Sequence, residues 1–262
     1  MTASRKIIEV VEKIGLDQRL ERAQIGMLYT AAQLETGAAG VAYSFPRKGC
    51  GPSIIGGGRS LTGRPVMEIA RSLGSNNLAD SSLALAAVNA VVSAIGVPQG
   101  ALQCDVLEAI DVRDGETVCM VGCFLPVMER LKTRGITVKS VDLEQKPGAL
   151  PAGEAFAILR ESQVALITAT AVINSTIDCL LEAAEHCREV VVLGPSTPLV
   201  PTAFNKTPVT CLAGIRVEQP DELFRIIGEG GGFRLFRPYT KKYTVRVSHR
   251  KAFLHHSPLS EE

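Results

Sequence analysis

The stretch ALITATAVINSTI, residues 165–177, decides the fold of the second half of this chain. Its apolar start is short enough for a buried strand, and small hydroxyl residues follow before an amphipathic pattern begins near Asn174. The stretch VVVLGPSTPLVP, residues 190–201, repeats this order. Both stretches predict strands that end in loops rich in Thr, Ser, Asn and Gly. Because ligands bind at such strand ends in open α/β sheets, the sequence predicts where this protein works.

Strands and helices alternate on both sides of these two stretches. We expect strands at residues 117–122, 137–142, 164–168, 189–194 and, more weakly, 209–213, and helices at 125–134, 153–162, 174–187 and 220–228. Continuous apolar strands in this order favour a parallel sheet covered on both faces. Residues 108–232 are therefore predicted to form a mostly parallel sheet flanked by helices, and residues 233–247 an extended hairpin.

The first hundred residues follow a different order, with strands first and helices afterwards. A helix at 4–14 precedes two strands at 24–34 and 38–45, which we expect to form a hairpin, and a Gly-rich loop at 46–63 follows. Two further helices are predicted, one from Pro65 to residue 73 and one that Asp80 or Ser81 caps and that runs to about residue 95. This order indicates an α+β unit. We predict an N-terminal α+β domain at 1–100, a parallel-sheet domain at 101–250 and a frayed tail at 251–262.

The composition excludes several classes of function. The net charge is +1, and only 5% of the residues are aromatic, so neither nucleic acid nor a membrane surface is an expected partner. No signal peptide is visible in the first 15 residues, and no apolar stretch approaches the length of a membrane span. The seven cysteines are scattered and odd in number. We therefore expect a reduced protein of the cytoplasm.

The turn VGCFLP, residues 121–126, is the first strand–helix turn of the second half. Gly122 allows a sharp turn before a helix N-terminus, where a nucleotide phosphate sits in a dinucleotide-binding fold. The G-x-G-x-x-G fingerprint is missing, and Phe124 and Pro126 occupy the region of close approach, which favours a ligand other than a dinucleotide. Asp142 ends the next strand, at the spacing of a ribose-binding acid. Asp142 fits equally well as a solvated carboxylate at a strand end beside Glu144. The spacing alone does not decide between these two roles.

Small polar residues follow the two strands of the opening stretches. Helix capping explains one or two of them, but not a cluster across two loops, so a site for a polar ligand is predicted. Prolines at 195, 198 and 201 would hold the second loop rigid. We expect a set of small residues to lie close together at the carboxyl edge of the sheet, where they face the N-terminal domain. This set is Gly122, Thr168, Thr170, Asn174, Ser196 and Thr197, and Gly194 lies on the same edge.

Asn89 lies alone in an otherwise apolar helix, where its amide is costly unless it is hydrogen-bonded. It either caps a loop of its own domain or faces the cleft between the two halves. Cys179 and Cys187 are predicted to be buried and unliganded, because their helix needs an apolar face. No C-x-x-C motif occurs and no His lies at ligand spacing, so the spacing does not support direct metal binding.

These segments together resemble the bacterial and archaeal family of unknown function described as "Putative heavy-metal chelation". The second half carries the resemblance at residues 121–126, 168–178, 194–199 and 212–214, and the first half is similar to an accompanying small domain at Gly63, Pro65, Glu68 and residues 87–90. The resemblance implies an enolase-N-terminal-like α+β domain followed by a Rossmann-like domain, with a site in the cleft between them.

The sequence leaves three hypotheses about function. The first is a protein that binds a small polar metabolite, a metal-chelating one or its precursor, in the interdomain cleft. The second is an enzyme, a transferase or lyase, with a nucleotide-like cofactor whose ribose Asp142 contacts, and the third is a protein that acts by assembly with partner proteins. The cofactor, catalytic residues and metal ligands stay unassigned, and homo-oligomer formation stays open. The candidate ligand-binding residues are Asn89, Gly122, Phe124, Asp142, Thr168, Thr170, Asn174, Gly194, Ser196 and Thr197.

Overall fold

The computed structural model describes residues 1–14, 17–45, 60–144, 146 and 148–248. The predicted tail at 251–262 and most of the Gly-rich loop predicted at 46–63 lie outside these residues.

The N-terminal part consists of a small antiparallel sheet, in the order β1-β2-β3, and the helices packed on it. The elements are α1 (Ala3–Lys13), β1 (Leu20–Ile25), β2 (Tyr29–Leu34), β3 (Ala39–Tyr43), α2 (Val66–Ala70) and α3 (Leu78–Ile95). The prediction of one continuous strand at 24–34 is wrong, because the chain turns at Gly26 and returns as a second strand. A Cβ at Gly26 would lie 2.6 Å from Ile227 Cγ2, so the turn packs where only glycine fits.

The helix α3 is the centre of this part. It packs on β3 at Gly40, where a Cβ would come within 2.2 Å of the Ala90 main-chain nitrogen. Its cap is Asn77 rather than Asp80 or Ser81, since Asn77 Oδ1 accepts from the N–H of Ala79 at 3.1 Å. With 18 residues and a mean hydropathy of 1.7, α3 is long and apolar enough to cross a membrane, contrary to the sequence expectation. Because 67% of that stretch is buried inside the protein, α3 has the environment of a core helix.

The second half forms a seven-stranded sheet in the order β10-β9-β8-β7-β4-β5-β6, in which β10 alone runs antiparallel to its neighbour. The strands are β4 (Thr117–Val121), β5 (Thr137–Asp142), β6 (Leu150–Pro151), β7 (Val164–Thr168), β8 (Glu189–Leu193), β9 (Cys211–Val217) and β10 (Thr240–Arg246). The helices are α4 (Val106–Ala109), α5 (Leu125–Thr133), α6 (Ala155–Glu161), α7 (Thr170–Ile173), α8 (Ile177–Ala183), α9 (Pro220–Gly228) and α10 (Phe233–Phe236). The predicted mixed α/β fold with a mainly parallel sheet is confirmed.

Three details of this half differ from the prediction. The helix predicted at 174–187 is two helices, α7 and α8, because the chain breaks between them at Ser175, whose φ is 60°. The hairpin predicted at 233–247 is instead α10, a 3-10 turn at Arg237–Tyr239 and the single strand β10, which pairs with the exposed edge of β9. Cys187 is buried as predicted, but Cys179 is exposed, because it lies on the outer face of α8.

The order of the strands reverses between β4 and β7. The chain builds β5 and β6 on one side of β4, and then returns to place β7, β8 and β9 on the other side. Such a reversal opens a crevice at the carboxyl ends of the two strands. Apolar residues of α1, α2 and α3 share one continuous core with residues of β7, α7, α8 and β8, so the small sheet and its helices are fixed beside this crevice.

Candidate ligand-binding cleft

A cleft of about 1710 Å³ lies at the carboxyl edge of the parallel sheet, beside the reversal between β4 and β7. The first half of the chain supplies part of its wall, including Tyr29, Tyr43 and Asn77. Eight of the ten candidate residues line it, namely Gly122, Phe124, Asp142, Thr168, Thr170, Asn174, Gly194 and Ser196. Asn89 and Thr197 lie outside the lining.

The turn after β4 brings Gly122 against Thr168, the last residue of β7. The φ of Gly122 is 93°, and a Cβ there would lie 2.9 Å from Thr168 Cβ, so both the conformation and the contact require glycine. The Phe124 ring lies 3.4 Å from the Cβ positions of both Gly122 and Gly194. This ring covers the strand-end turn at which a dinucleotide-binding fold holds its phosphates.

The Asp142 carboxylate, at the end of β5, is hydrogen-bonded to the same turn. It is 7% exposed, and its Oδ2 accepts a 2.8 Å hydrogen bond from the main-chain N–H of Cys123. Its Oδ1 accepts from the N–H of Glu144 at 2.8 Å, and Lys146 Nζ lies 3.5 Å from Oδ2. Since both oxygens already hold main-chain donors, this carboxylate fixes the shape of the cleft floor.

The hydroxyls of Thr168 and Thr170 lie 3.0 Å apart, where β7 enters α7. Asn174 ends α7, and its Oδ1 accepts from the hydroxyl of Thr176 at 2.7 Å and from the N–H of Thr176 at 3.3 Å. The expectation that Asn174 begins a helix is therefore wrong, because its amide oxygen holds the turn between α7 and α8. Asn174 lines the cleft, and its Nδ2 has no hydrogen-bond partner among the described residues.

Ser196 and Asn89 join the small sheet to the loop after β8. Ser196 Oγ accepts a 2.8 Å hydrogen bond from the main-chain N–H of Tyr43. Asn89 Nδ2 donates to the carbonyl oxygens of Val41 at 2.9 Å and of Ser196 at 3.2 Å. Thr197 is buried beside this junction, and its Oγ1 has no partner within the described part of the chain. The structure thus places Asn89 and Thr197 in the packing behind the cleft wall.

An aromatic wall from the small sheet was not predicted from the sequence. Tyr43 makes edge-on contacts with Tyr29 and Phe45, at ring-centroid distances of 5.8 and 5.4 Å. The Tyr43 hydroxyl donates to Glu144 Oε1 at 2.8 Å across the cleft. Burial, together with this hydrogen bond, raises the pKa of Tyr43 to about 12.

Charged side chains line the end of the cleft formed by α5, α10 and β10. Asp105 accepts from Arg130 Nη1 at 2.9 Å and from Lys242 Nζ at 2.7 Å. Burial opposes the charge of Asp105, but the hydrogen bond and charge of Lys242 bring the pKa of this carboxyl below its usual value. Arg234 and Arg237 also line the cleft, and neither side chain has an ion-pair or hydrogen-bond partner among the described residues.

The described residues do not form a metal site of their own. No group of three or more His, Cys, Asp or Glu side chains in this part of the chain could hold a metal ion. Cys104 and Cys123 line the cleft, but the nearby Asp142 carboxylate is already held by main-chain N–H groups. A metal held directly by these side chains therefore does not fit.

These features define a mixed α/β protein with a Rossmann-like parallel sheet, a small antiparallel sheet packed beside it and a ligand-sized cleft at the strand reversal. The chain belongs to the DUF364 family, described as "Putative heavy-metal chelation", whose family model matches residues 105–246. The DUF4213 model, with the same description, matches residues 8–92. The family suspected from the sequence is confirmed.

Three proteins similar to this chain are themselves described as uncharacterized or of unknown function. An uncharacterized protein of Methanocaldococcus jannaschii is 28% identical over 183 residues, which cover 65% of this chain and 70% of that protein. A DUF364 crystal structure from Pyrococcus horikoshii matches with a TM-score of 0.80 at 24% identity, over 94% of this chain and 100% of that one. A DUF364 structure from Desulfitobacterium hafniense matches with a TM-score of 0.73 at 22% identity, over 92% and 98%. The two solved structures support the fold.

Proposed function

We propose that this protein binds a small polar metabolite, or a metal chelate of one, in the cleft at the strand reversal. One observation carries the proposal, which is that eight of the ten candidate residues line one cleft although they come from four separate segments of the chain. The cleft combines hydroxyl and amide groups with aromatic walls, as small-molecule sites do. We also propose a cytoplasmic location, which the free state of the six described cysteines supports.

The geometry favours binding over the alternative of an enzyme with a nucleotide-like cofactor. Such a cofactor needs room for phosphates at the turn after β4, which the Phe124 ring covers. At the end of β5, each Asp142 oxygen already accepts a main-chain hydrogen bond, so this carboxylate is partly engaged before any ligand binds. These two features support binding rather than the cofactor hypothesis.

A thermal-shift panel tests the proposal with citrate, nickel citrate and S-adenosylmethionine. We expect citrate or its nickel chelate to raise the melting temperature, and S-adenosylmethionine to leave it unchanged. A shift by S-adenosylmethionine alone would support the enzyme hypothesis instead.

Asn174→Ala locates the binding site of whichever probe shifts the melting temperature. Loss of the turn-holding amide costs about 1 kcal/mol of stability, and loss of the Nδ2 donor should raise the dissociation constant about tenfold. Asn205→Ala serves as the control, because Asn205 lies outside the cleft lining. An unchanged affinity with a lowered melting temperature would leave Asn174 with a purely structural role.

A further inference from the structure

Two arginines that have no ion-pair or hydrogen-bond partner among the described residues lie on one wall of the cleft. Arg234 belongs to α10 and Arg237 begins the 3-10 turn that follows, so the two side chains are three residues apart on neighbouring turns. Both residues are exposed, both line the cleft, and neither has an ion-pair or hydrogen-bond partner in the described part of the chain.

The other cations of the cleft have ion-pair partners. Arg130 and Lys242 share the Asp105 carboxylate, and Lys146 lies 3.5 Å from Asp142 and 3.6 Å from Glu144. Glu129, on α5, is the lining carboxylate without an ion pair among the described residues. One positive charge is left over where Arg130 and Lys242 share Asp105. Arg234 and Arg237 are the lining cations without an ion pair among the described residues.

The guanidinium group is suited to one kind of ligand. It is planar, stays charged at any relevant pH, and presents paired N–H donors that match a carboxylate or a phosphate. The remainder of the cleft offers the Phe124 ring and the Tyr43 ring as apolar or stacking surfaces. A ligand that contacts both the arginines and the two aromatic rings would have anionic oxygens at one end and a planar or apolar body.

We propose that the ligand of this cleft is an organic anion whose carboxylate or phosphate oxygens are bound by Arg234 and Arg237. This inference rests on the proposed function and names the chemical class of its ligand. Since the described residues do not form a metal site, a metal reaches this protein already chelated by the anion. The arginines then recognise the chelator, and the protein supplies no metal ligand from the described residues.

Calorimetry on the full chain tests this with two probes of the same shape. Pyridine-2,6-dicarboxylate is a planar dianion that also chelates divalent metals, and pyridine-2,6-dicarboxamide is its neutral counterpart. We expect the dianion to bind at least about tenfold more tightly than the diamide, since charged groups strengthen hydrogen bonds. Its dissociation constant should rise with added sodium chloride because the arginines are exposed. Phenyl phosphate serves as the phosphate arm, and Ni²⁺ is added alone and with the dianion.

The double variant R234Q/R237Q should lose about tenfold or more of the dianion affinity and keep its affinity for the diamide. The matched control is Arg160→Gln, which removes an exposed arginine of α6 that has no ion pair in the described structure and lies outside the cleft. Circular dichroism of the variants confirms that each is folded. Tighter binding of phenyl phosphate than of the dicarboxylate, lost in the same variant, supports the proposal and identifies phosphate as the anion.

Three outcomes would overturn the inference. Equal binding of the dianion and the diamide, unaffected by R234Q/R237Q, contradicts it while the cleft remains a binding site. Binding of Ni²⁺ alone as tight as that of its dicarboxylate complex, again unaffected in the double variant, also contradicts it. No binding of any probe to the folded wild type would contradict both this inference and the proposed function.

Discussion

The main-chain N–H of Tyr43 donates a 2.8 Å hydrogen bond to the hydroxyl of Ser196. This single bond joins the edge strand of the small sheet to the loop that follows β8, across 153 residues of sequence. Ser196 is only 2% exposed, so water cannot easily replace the hydroxyl. The wall of the cleft therefore depends on a contact between two parts of the chain that fold as separate sheets.

Ser196→Ala should lower the free energy of unfolding by about 1–3 kcal/mol, because the Tyr43 N–H loses its acceptor in a buried place. Urea denaturation measures the change. Ser82→Ala is the control, since the Ser82 hydroxyl is buried without a partner among the described residues and its removal should cost nothing. Equal losses in the two variants would show that the Tyr43–Ser196 bond contributes no stability.

Gly122→Ala should destabilise the protein more than Gly96→Ala. The two glycines have nearly the same positive φ, 93° and 95°, which alanine rarely adopts, so both substitutions strain the backbone. A Cβ at Gly96 meets nothing within 4 Å, whereas at Gly122 it meets Thr168 Cβ at 2.9 Å. We expect an additional loss of about 1–3 kcal/mol at Gly122 from overpacking, measured by denaturation. Equal losses would mean that the turn relaxes away from Thr168.

Stability should fall in alkali partly through Tyr43. The pKa of its phenol is raised from 10.0 to about 12 by burial and by the hydrogen bond to Glu144, so the folded state holds this proton more tightly than the unfolded state. The resulting stabilisation is fully present below pH 10 and is lost as the pH rises towards about 12. Tyr43→Phe should remove this contribution. The difference in urea midpoint between wild type and variant should shrink from pH 9 to pH 12, and a constant difference would contradict the assignment.

The cysteines should react with iodoacetamide in the order of their exposure. Burial raises the pKa of Cys119, Cys187 and Cys211 to about 12, 11 and 12, which leaves little thiolate at pH 8. Cys179 is exposed and should be modified first, and the three buried thiols only in denaturant. Mass spectrometry of the digested protein assigns each site. Early labelling of Cys187 in the folded protein would contradict the burial of its thiol against the carbonyl groups of Leu159 and Ser162.

Periodicity and strand-end chemistry were sufficient to predict the parallel sheet and most of the cleft. Thr168 ends a strand, and Gly122 and Gly194 each directly follow one. Because parallel strands bring their carboxyl ends to one edge, the proximity of these residues follows from sequence position alone. The direction of a side chain does not follow in this way. Thr197 is next to Ser196 in the chain, but it points into the packing behind the wall, because the loop after β8 is fixed by contacts with β3 and α3.

The rest of the cleft comes from segments whose position depends on long-range packing. Tyr29 and Tyr43 reach it because α3 holds the small sheet beside the reversal, and no local pattern in 24–45 indicates that placement. Arg234 and Arg237 were assigned to a hairpin, since the short helix α10 lacks the length that makes helical periodicity recognisable. The sequence leaves the role of Asn89 open because that role depends on long-range contacts. The two carbonyl oxygens that accept from its amide lie 48 and 107 residues away in the chain.

The attachment of α1 has a consequence for the biosynthesis of the protein. The N–H of Ala3 donates to Asp178 Oδ1 at 2.9 Å, and α1 packs on the 3-10 turn at Pro201–Phe204. The ribosome must therefore add 175 further residues after Ala3 before this partner exists. At roughly 5–20 residues per second, this hydrogen bond can form only on the order of 10–35 s after Ala3 is synthesised, a period in which a chaperone has access to α1.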